Sequence, residues 1–274
     1  MGGDRLAAAF SDRNCVISGH ASELHLTEGH GFYVPMSFST DEASFHITPL
    51  LGTDGHGGWF SMVLPFQVDE VYNVTDQRAI DWFRNTEDSL KDFWVKELFL
   101  TTDDGRVAFK HAETWTAGMP YIVAVPDGSF APDYLLQGKE LRFTGRNVAL
   151  SSAAPASVVQ GNYIMRGAYT AQQQQAYFLN AEGTAFEFAD SQSVPFGCWI
   201  EYNGGGASSQ QVLSIWGDSI LAVQSPCQPG ERVRVPAYSV DGRRVADVWV
   251  ADGVADLSAL PRGVFIIKGR KYVK

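Results

Sequence analysis

The sequence predicts an all-β protein, built as an antiparallel β-sandwich, and three observations carry that prediction. Apolar residues come in short bursts or alternate with polar ones, and the spacing of a helix is nearly absent. The bursts are separated by Asp103-Asp104-Gly105, Asp127-Gly128, Glu182-Gly183, Asn203-Gly204-Gly205-Gly206, Asp241-Gly242 and Asp252-Gly253. Such pairs supply the positive-φ positions of hairpin turns. Two apolar runs, GGWFSMVLPFQVDEVY from Gly57 and AGMPYIVAVP from Ala117, carry a proline where a strand should end.

Taken in chain order, Leu64-Pro65-Phe66 and Met119-Pro120-Tyr121 read as bends between sheets, because proline has no N–H to donate to a ladder. The one stretch with helical character is Thr75 to Lys96, where Ile80, Trp82-Phe83, Leu90 and Phe93-Trp94 have mixed spacing. Asp76 or Asp81 is the candidate cap, and at most two short helices are expected within 76–96. Strands are expected at 95–101, 121–125, 141–143, 163–166, 176–180, 186–188 and 199–202. A second texture begins near Ser219, with strands at 233–240, 243–250 and 264–268 and Asp241-Gly242 as a hairpin turn. Pro226, Pro229 and Gly230 form the best linker. The domain reading is a leading segment 1–28, a sandwich region 29–217 with a weaker boundary at 151–156, and a small module 219–274. Within that module Val235, Tyr238, Val245, Leu257, Leu260, Val264 and Ile266 are the expected inward positions.

Composition narrows the function classes. Apolar residues make up 45 % of the 274, with seven Trp and seventeen Phe, which is ample for a packed core and excludes global disorder. The net charge of -10 argues against a nucleic-acid partner, since the basic groups cluster only at Arg243-Arg244 and in 268–274. No stretch approaches the roughly 20 apolar residues of a membrane helix. The opening MGGDRLAAAF is too short for a signal-peptide core, so the expectation is a cytoplasmic chain or one whose export signal lies upstream. The three cysteines, Cys15, Cys198 and Cys227, allow one disulfide at most. Cys198–Cys227 is the plausible pair, and core thiols are the favoured state.

Chemistry has few anchors. His20, His25, His30, His46 and His56 crowd the first fifth of the chain. A spacing of five puts successive histidines on opposite strand faces, so a solvated polar segment is favoured over a metal site. Asp69-Glu70, Glu87-Asp88 and Asp103-Asp104 are adjacent carboxylates that point apart on a strand, unlike a glycosidase pair. No G-x-S-x-G or phosphate-binding glycine motif occurs, and Cys198 sits in an apolar run where an inert thiol is expected. No catalytic residue, metal or cofactor is expected. Among the tryptophans, Trp59, Trp199 and Trp249 lie in apolar runs and are expected in the core. Trp82 and Trp115 have polar neighbours and are the candidates for an exposed ring that stacks on a sugar.

Seven segments in one order resemble a β-sandwich region found near the ends of secreted and surface proteins of Bacteroidota. They are GFYVPMSFST (31–40), WFSMVLPFQV (59–68), AGMPYIVAVP (117–126), GKELRFTG (138–145), GNYIMRGAYT (161–170), QAYFLNAEGTAFEF (175–188) and VPFGCWIEYN (194–203). The tail, VPAYSVDGRRV (235–245) and LSALPRGVFIIKGRKYVK (257–274), looks like the last strands of the sorting domain of the type IX secretion system. The asparagine-proline opening of that module is missing, which leaves a small immunoglobulin-like cap as the other reading. The resemblance implies an exported or outer-surface protein without catalysis of its own, and it implies no ligand. The favoured expectation beside it is a non-catalytic module contributing to adhesion or to presentation of neighbouring domains. Its partners would be surface glycans or proteins, with an export machinery for 219–274. The alternative is a carbohydrate-binding module. Asp88-Ser89-Leu90 and Asp218-Ser219-Ile220 resemble the O-glycosylation tripeptide of the same bacteria.

Overall fold

The computed structural model describes residues 4–5, 14–49, 59–84, 91–101, 105–125, 136–204 and 212–216. Nearer the C-terminus it describes 233–239, 244–251, 254–255, 257, 260–261, 263–267 and 270–273. The chain divides into two compact units, 1–223 and 224–274. Unit one begins with β1 (Asp4–Arg5), β2 (Cys15–Val16), β3 (His20–Thr27), β4 (Phe38–Ile47), β5 (Trp59–Met62) and β6 (Glu70–Asn73). It continues through β7 (Arg78–Ile80), β8 (Trp82–Phe83), β9 (Phe93–Thr101), β10 (Arg106–His111), β11 (Tyr121–Ala124) and β12 (Leu141–Leu150). Its last strands are β13 (Val158–Gln160), β14 (Tyr163–Gly167), β15 (Gln173–Leu179), β16 (Ala185–Gln192), β17 (Cys198–Tyr202) and β18 (Val212–Trp216). Unit two holds β19 (Val233–Ser239), β20 (Arg244–Ala251), β21 (Val254–Ala255), β22 (Val264–Ile267) and β23 (Arg270–Val273). The protein is all-β, and among the described residues there is no helix.

Unit one packs a five-stranded sheet, in the order β3-β4-β12-β6-β7, against an eleven-stranded sheet that runs from β13 to β5. The larger sheet curls. At its β5 edge, Cys198 N–H donates to Ser61 Oγ at 2.9 Å and Val63 N–H to Phe196 O at 2.8 Å. Near its other edge, Thr101 Oγ1 donates to Gln160 O at 2.8 Å. Curling creates two cores. One lies between the sheets and holds Phe45, Phe66, Phe93, Val95, Trp115, Tyr121, Val123 and Phe143. The other lies inside the curl and holds Trp94, Leu98, Ile122, Ala124, Met165, Tyr177, Phe186 and Ile200. Strand β11 therefore alternates between two cores, and every residue of it is buried. That is why YIVAV reads as an unbroken apolar run.

Pro65 sits at the expected bend between sheets, and Pro120 stands at a strand boundary without a bend of its own. Pro65 follows β5, and the chain from Leu64 to Val68 crosses to the five-stranded sheet. It is pinned by Gly118 N–H to Leu64 O at 2.7 Å, Val68 N–H to Trp115 O at 3.1 Å and Asp69 N–H to Thr144 O at 2.9 Å. Pro120 immediately precedes β11.

Several expectations need correction. The helices expected within 76–96 are absent from its described residues, where β7, β8 and the start of β9 stand instead. Charge holds that layout in place of helical caps. Asp92, 7 % exposed, takes Arg78 Nη1 at 2.5 Å and Asp81 N–H at 3.0 Å. Asp81 in turn accepts from Arg84 at 2.9 Å and Lys91 at 2.8 Å. Burial opposes ionisation of Asp81, but those hydrogen bonds outweigh it and hold its carboxyl below the usual carboxylate range. Replacing Asp92 by Asn is expected to cost about 2 kcal/mol, the scale of a charged hydrogen bond lost in a buried setting. Urea unfolding of D92N checks it.

Of the histidine-rich stretch, His20 and His25 lie on β3 and His46 on β4, two strands paired in parallel with Leu24, Leu26, Ala43 and Phe45 inward and the histidines on the outer face. Two further pairs, β10 with β18 and β8 with β9, are also parallel, so the sandwich is not uniformly antiparallel. In unit two the core is Ala237, Val248, Leu260 and Phe265, with Leu257 packed against it. Val245, expected inward, is 39 % exposed, and Trp249, expected in the core, is 46 % exposed. Both share one face of β20, opposite Val248, so the strand's inward set is shifted by one residue. The side chains of Val235, Tyr238, Val264 and Ile266 lie outside the described residues. So do the turns at 103–104, 127–128, 241–242 and 252–253, the linker at 226–230, Glu87-Asp88, His56, Cys227 and both glycosylation tripeptides.

Candidate functional site

The two tryptophans singled out for stacking are not at the surface. Trp82 is 4 % exposed and Trp115 is 0 % exposed, and both belong to the core between the sheets. Their rings meet edge to face at 6.1 Å, and Trp115 also packs on Tyr121 and Phe143 at 5.7 and 5.1 Å. Among the described residues, no group of three or more His, Cys, Asp or Glu is placed to hold a metal ion. His25 and His46 do approach, with ring centroids 6.3 Å apart on the solvent side of the five-stranded sheet. Each is engaged by its own carboxylate, His25 with Glu23 at 3.0 Å and His46 with Glu140 at 2.8 Å. Asp69 and Glu70 are structural: Asp69 accepts from Arg146 N–H at 2.8 Å, and Glu70 pairs with Arg146 Nη2 at 3.0 Å. Cys198 is a free thiol, 4 % exposed inside the curl, and burial pushes its ionisation far up.

What sequence reasoning missed is a groove of about 420 Å³ on the outer face of β14 and β17. Its lining includes Tyr33, the loop from Ser151 to Pro155, Arg166, Thr170, Gln172, Gln174 and Trp199. Alternation sets one wall. Phe32 and Val34 are buried at 1 % and 6 %, so Tyr33 between them turns outward and is 61 % exposed. Phe32 N–H is fixed to Tyr169 O at 2.9 Å. The Ser151–Pro155 loop is held by Ala153 N–H to Ser151 Oγ at 3.1 Å and Ala156 N–H to Gly118 O at 2.9 Å. Gln172 is tied to Ser193 through N–H to Oγ at 3.1 Å, and its amide donates to Thr170 Oγ1 at 2.8 Å.

Glu201 organises the floor. Arg166 and Trp199 are cross-strand partners on β14 and β17, and Glu201 lies two residues along on the same face. One carboxylate oxygen accepts from Arg166 Nε at 2.8 Å and the other from Trp199 Nε1 at 2.8 Å. The guanidinium is thereby neutralised and aimed, and the indole is locked against the sheet. Tyr169, also on the lining, has its phenol pushed up to about 12 by burial, with the Cys198 sulfur a lesser cause. It stays protonated across the physiological range.

Neither family models, curated proteins nor solved structures yield a match to this chain. Among the described residues, no helix is long and apolar enough to cross a membrane.

Proposed function

We propose that this chain is a non-catalytic module of a secreted or surface-displayed protein, contributing to adhesion or to presentation of its neighbours. The groove beside Tyr33 is the observation that supports it most. Its described lining joins an exposed phenol ring, amides, hydroxyls and one neutralised guanidinium, with no His, Cys, Asp or Glu among those residues. That set recognises a ligand through hydrogen bonds and apolar contact. Away from the groove, His25 and His46 contact Glu23 and Glu140, and Glu70 pairs with Arg146. The resemblance of the segments to surface-protein sandwiches supports the export reading, and the tail 219–274 acts as a cap or as an export signal.

The test is attachment without turnover. Beads coated with the full chain are expected to adhere to glycan- or protein-bearing cell surfaces, and incubation with a polysaccharide panel is expected to release no reducing ends. Release of reducing ends at a rate proportional to protein concentration overturns the non-catalytic reading. Deleting 219–274 in a host with type IX secretion, with a signal peptide added, separates cap from signal. Unchanged delivery leaves a cap.

A further inference from the structure

We infer that the groove lined by Tyr33, Arg166, Gln172, Gln174 and Trp199 is a binding site for a neutral oligosaccharide. This rests on the proposed reading of the chain as a binding module and names the ligand class of its groove.

Four properties point to that class. The volume of about 420 Å³ falls within the roughly 300–1,000 Å³ of small-ligand sites. Tyr33 offers a ring that is 61 % exposed yet anchored through its buried neighbours Phe32 and Val34, so stacking against it costs little side-chain entropy. The C–H face of a pyranose is an apolar plate that fits such a ring, while its rim of hydroxyls both donates and accepts. Thr170, Gln172, Gln174, Ser151 and Ser152 supply matching groups of both kinds.

Charge completes the argument. Among the described lining residues Arg166 is the one charged side chain, and its Nε is already bound to Glu201 at 2.8 Å. A phosphate, sulfate or uronate would meet a compensated cation with a carboxylate behind it, so an anionic ligand is disfavoured. A neutral polyol meets the outer guanidinium N–H groups as fixed hydrogen-bond donors. Trp199 is only 3 % exposed, so it serves as floor and as the group that holds Glu201, while Tyr33 is the stacking surface.

The experiment is a ¹⁵N NMR titration of the full chain with neutral tetrasaccharides of glucose, xylose, mannose and galactose, and with tetragalacturonate as the acidic probe. The expected result is saturable movement of the Trp199 indole N–H and the Gln174 side-chain amide with at least one neutral probe, and at least tenfold weaker binding of the acidic one. Tyr33→Ala is expected to weaken the neutral probe about tenfold, the upper end for one aromatic contact, while Tyr33→Phe stays within about twofold. Glu201→Gln, which frees Arg166, is expected to narrow or reverse the preference for neutral over acidic sugar. Tyr33 is exposed, so Y33A folds, and its amide spectrum verifies that.

No movement with any neutral probe at tens of millimolar overturns the saccharide site, as does preference for tetragalacturonate or indifference to Y33A. Cell attachment by the coated beads that survives Y33A, with no saccharide shift, rejects this site and leaves the adhesion reading standing. Saccharide shifts accompanied by chain cleavage keep the site and reject the non-catalytic reading.

Discussion

Gly145→Ala is expected to destabilise the larger unit by about 3 kcal/mol, at the upper end of overpacking costs. Gly145 sits in β12, opposite Ala43 of β4, where the crossing segment after Pro65 lies across the sheet. A Cβ built there would stand 2.5 Å from Gln67 O, 2.8 Å from Phe66 Cδ2 and 3.2 Å from Val148 Cγ2. The first contact is with backbone, which cannot rotate away. Phe66 is fully buried, so its ring has nowhere to go. Relief would require moving the Leu64–Val68 segment, and with it the hydrogen bonds from Val68 to Trp115 and from Asp69 to Thr144. At the roughly 3 °C per kcal/mol of a domain this size, the melting midpoint should fall by about 9 °C.

Gly29→Ala is the matched control. Nothing lies within 4 Å of its Cβ, but its φ is +78°, so only the backbone penalty of about 1 kcal/mol applies. Calorimetry and urea unfolding of both variants check the difference. Equal losses would mean that β12 and the crossing segment are not in this close approach.

The sequence was informative where neighbouring residues share a fate. Tyr121 to Ala124 are buried on both faces, so their apolar character needs no partner to be recognised. The bend at Pro65 and the strand boundary at Pro120 were legible for a similar reason, since a missing N–H is a property of one residue. Fates that alternate were harder. Trp82 lies between Asp81 and Phe83, and Trp115 between Thr114 and Thr116. On extended backbone, the two threonines indicate that Trp115 between them faces the other way, which here is inward, while Trp82 and Phe83 alternate between the two cores. The same polarity had suggested exposure. In β3 the alternation of HASELHLT was hidden by its histidines, which occupy the outward positions while Leu24 and Leu26 enter the core.

The groove was illegible for a different reason. Arg166 and Glu201 are 35 residues apart and meet only because β14 pairs with β17 and not with β15, the next strand in sequence. No local pattern encodes that choice. Tyr33 alone had a local signal, the outward turn between Phe32 and Val34, and nothing in GFYVP says what it faces.

Trp115→Ala is expected to cost about 4 kcal/mol, the scale of deleting a fully buried aromatic side chain, whereas an exposed sugar-binding tryptophan would cost almost nothing. The ring touches Trp82, Tyr121 and Phe143, and its removal opens a cavity in the centre of the core between the sheets. Phenylalanine at the two sites separates packing from hydrogen bonding. Trp82 Nε1 donates to Ala112 O at 3.0 Å, and Arg84 stacks on its ring at 4.1 Å. Trp82→Phe therefore loses volume, strands a buried carbonyl and releases the guanidinium, for about 3 kcal/mol in all. Trp115 Nε1 is buried with no hydrogen-bond partner. Trp115→Phe also loses volume, but it removes an unpaired donor whose burial costs about 1–3 kcal/mol, so the two effects offset each other. The expected order of loss is W115A, then W82F, then W115F, with W115F within about 1 kcal/mol of the parent. Far-UV circular dichroism in urea is the appropriate readout, because the substitutions alter tryptophan fluorescence directly. A W115F loss equal to or larger than that of W82F would show that the Trp115 indole N–H has a partner in solution, most simply a buried water.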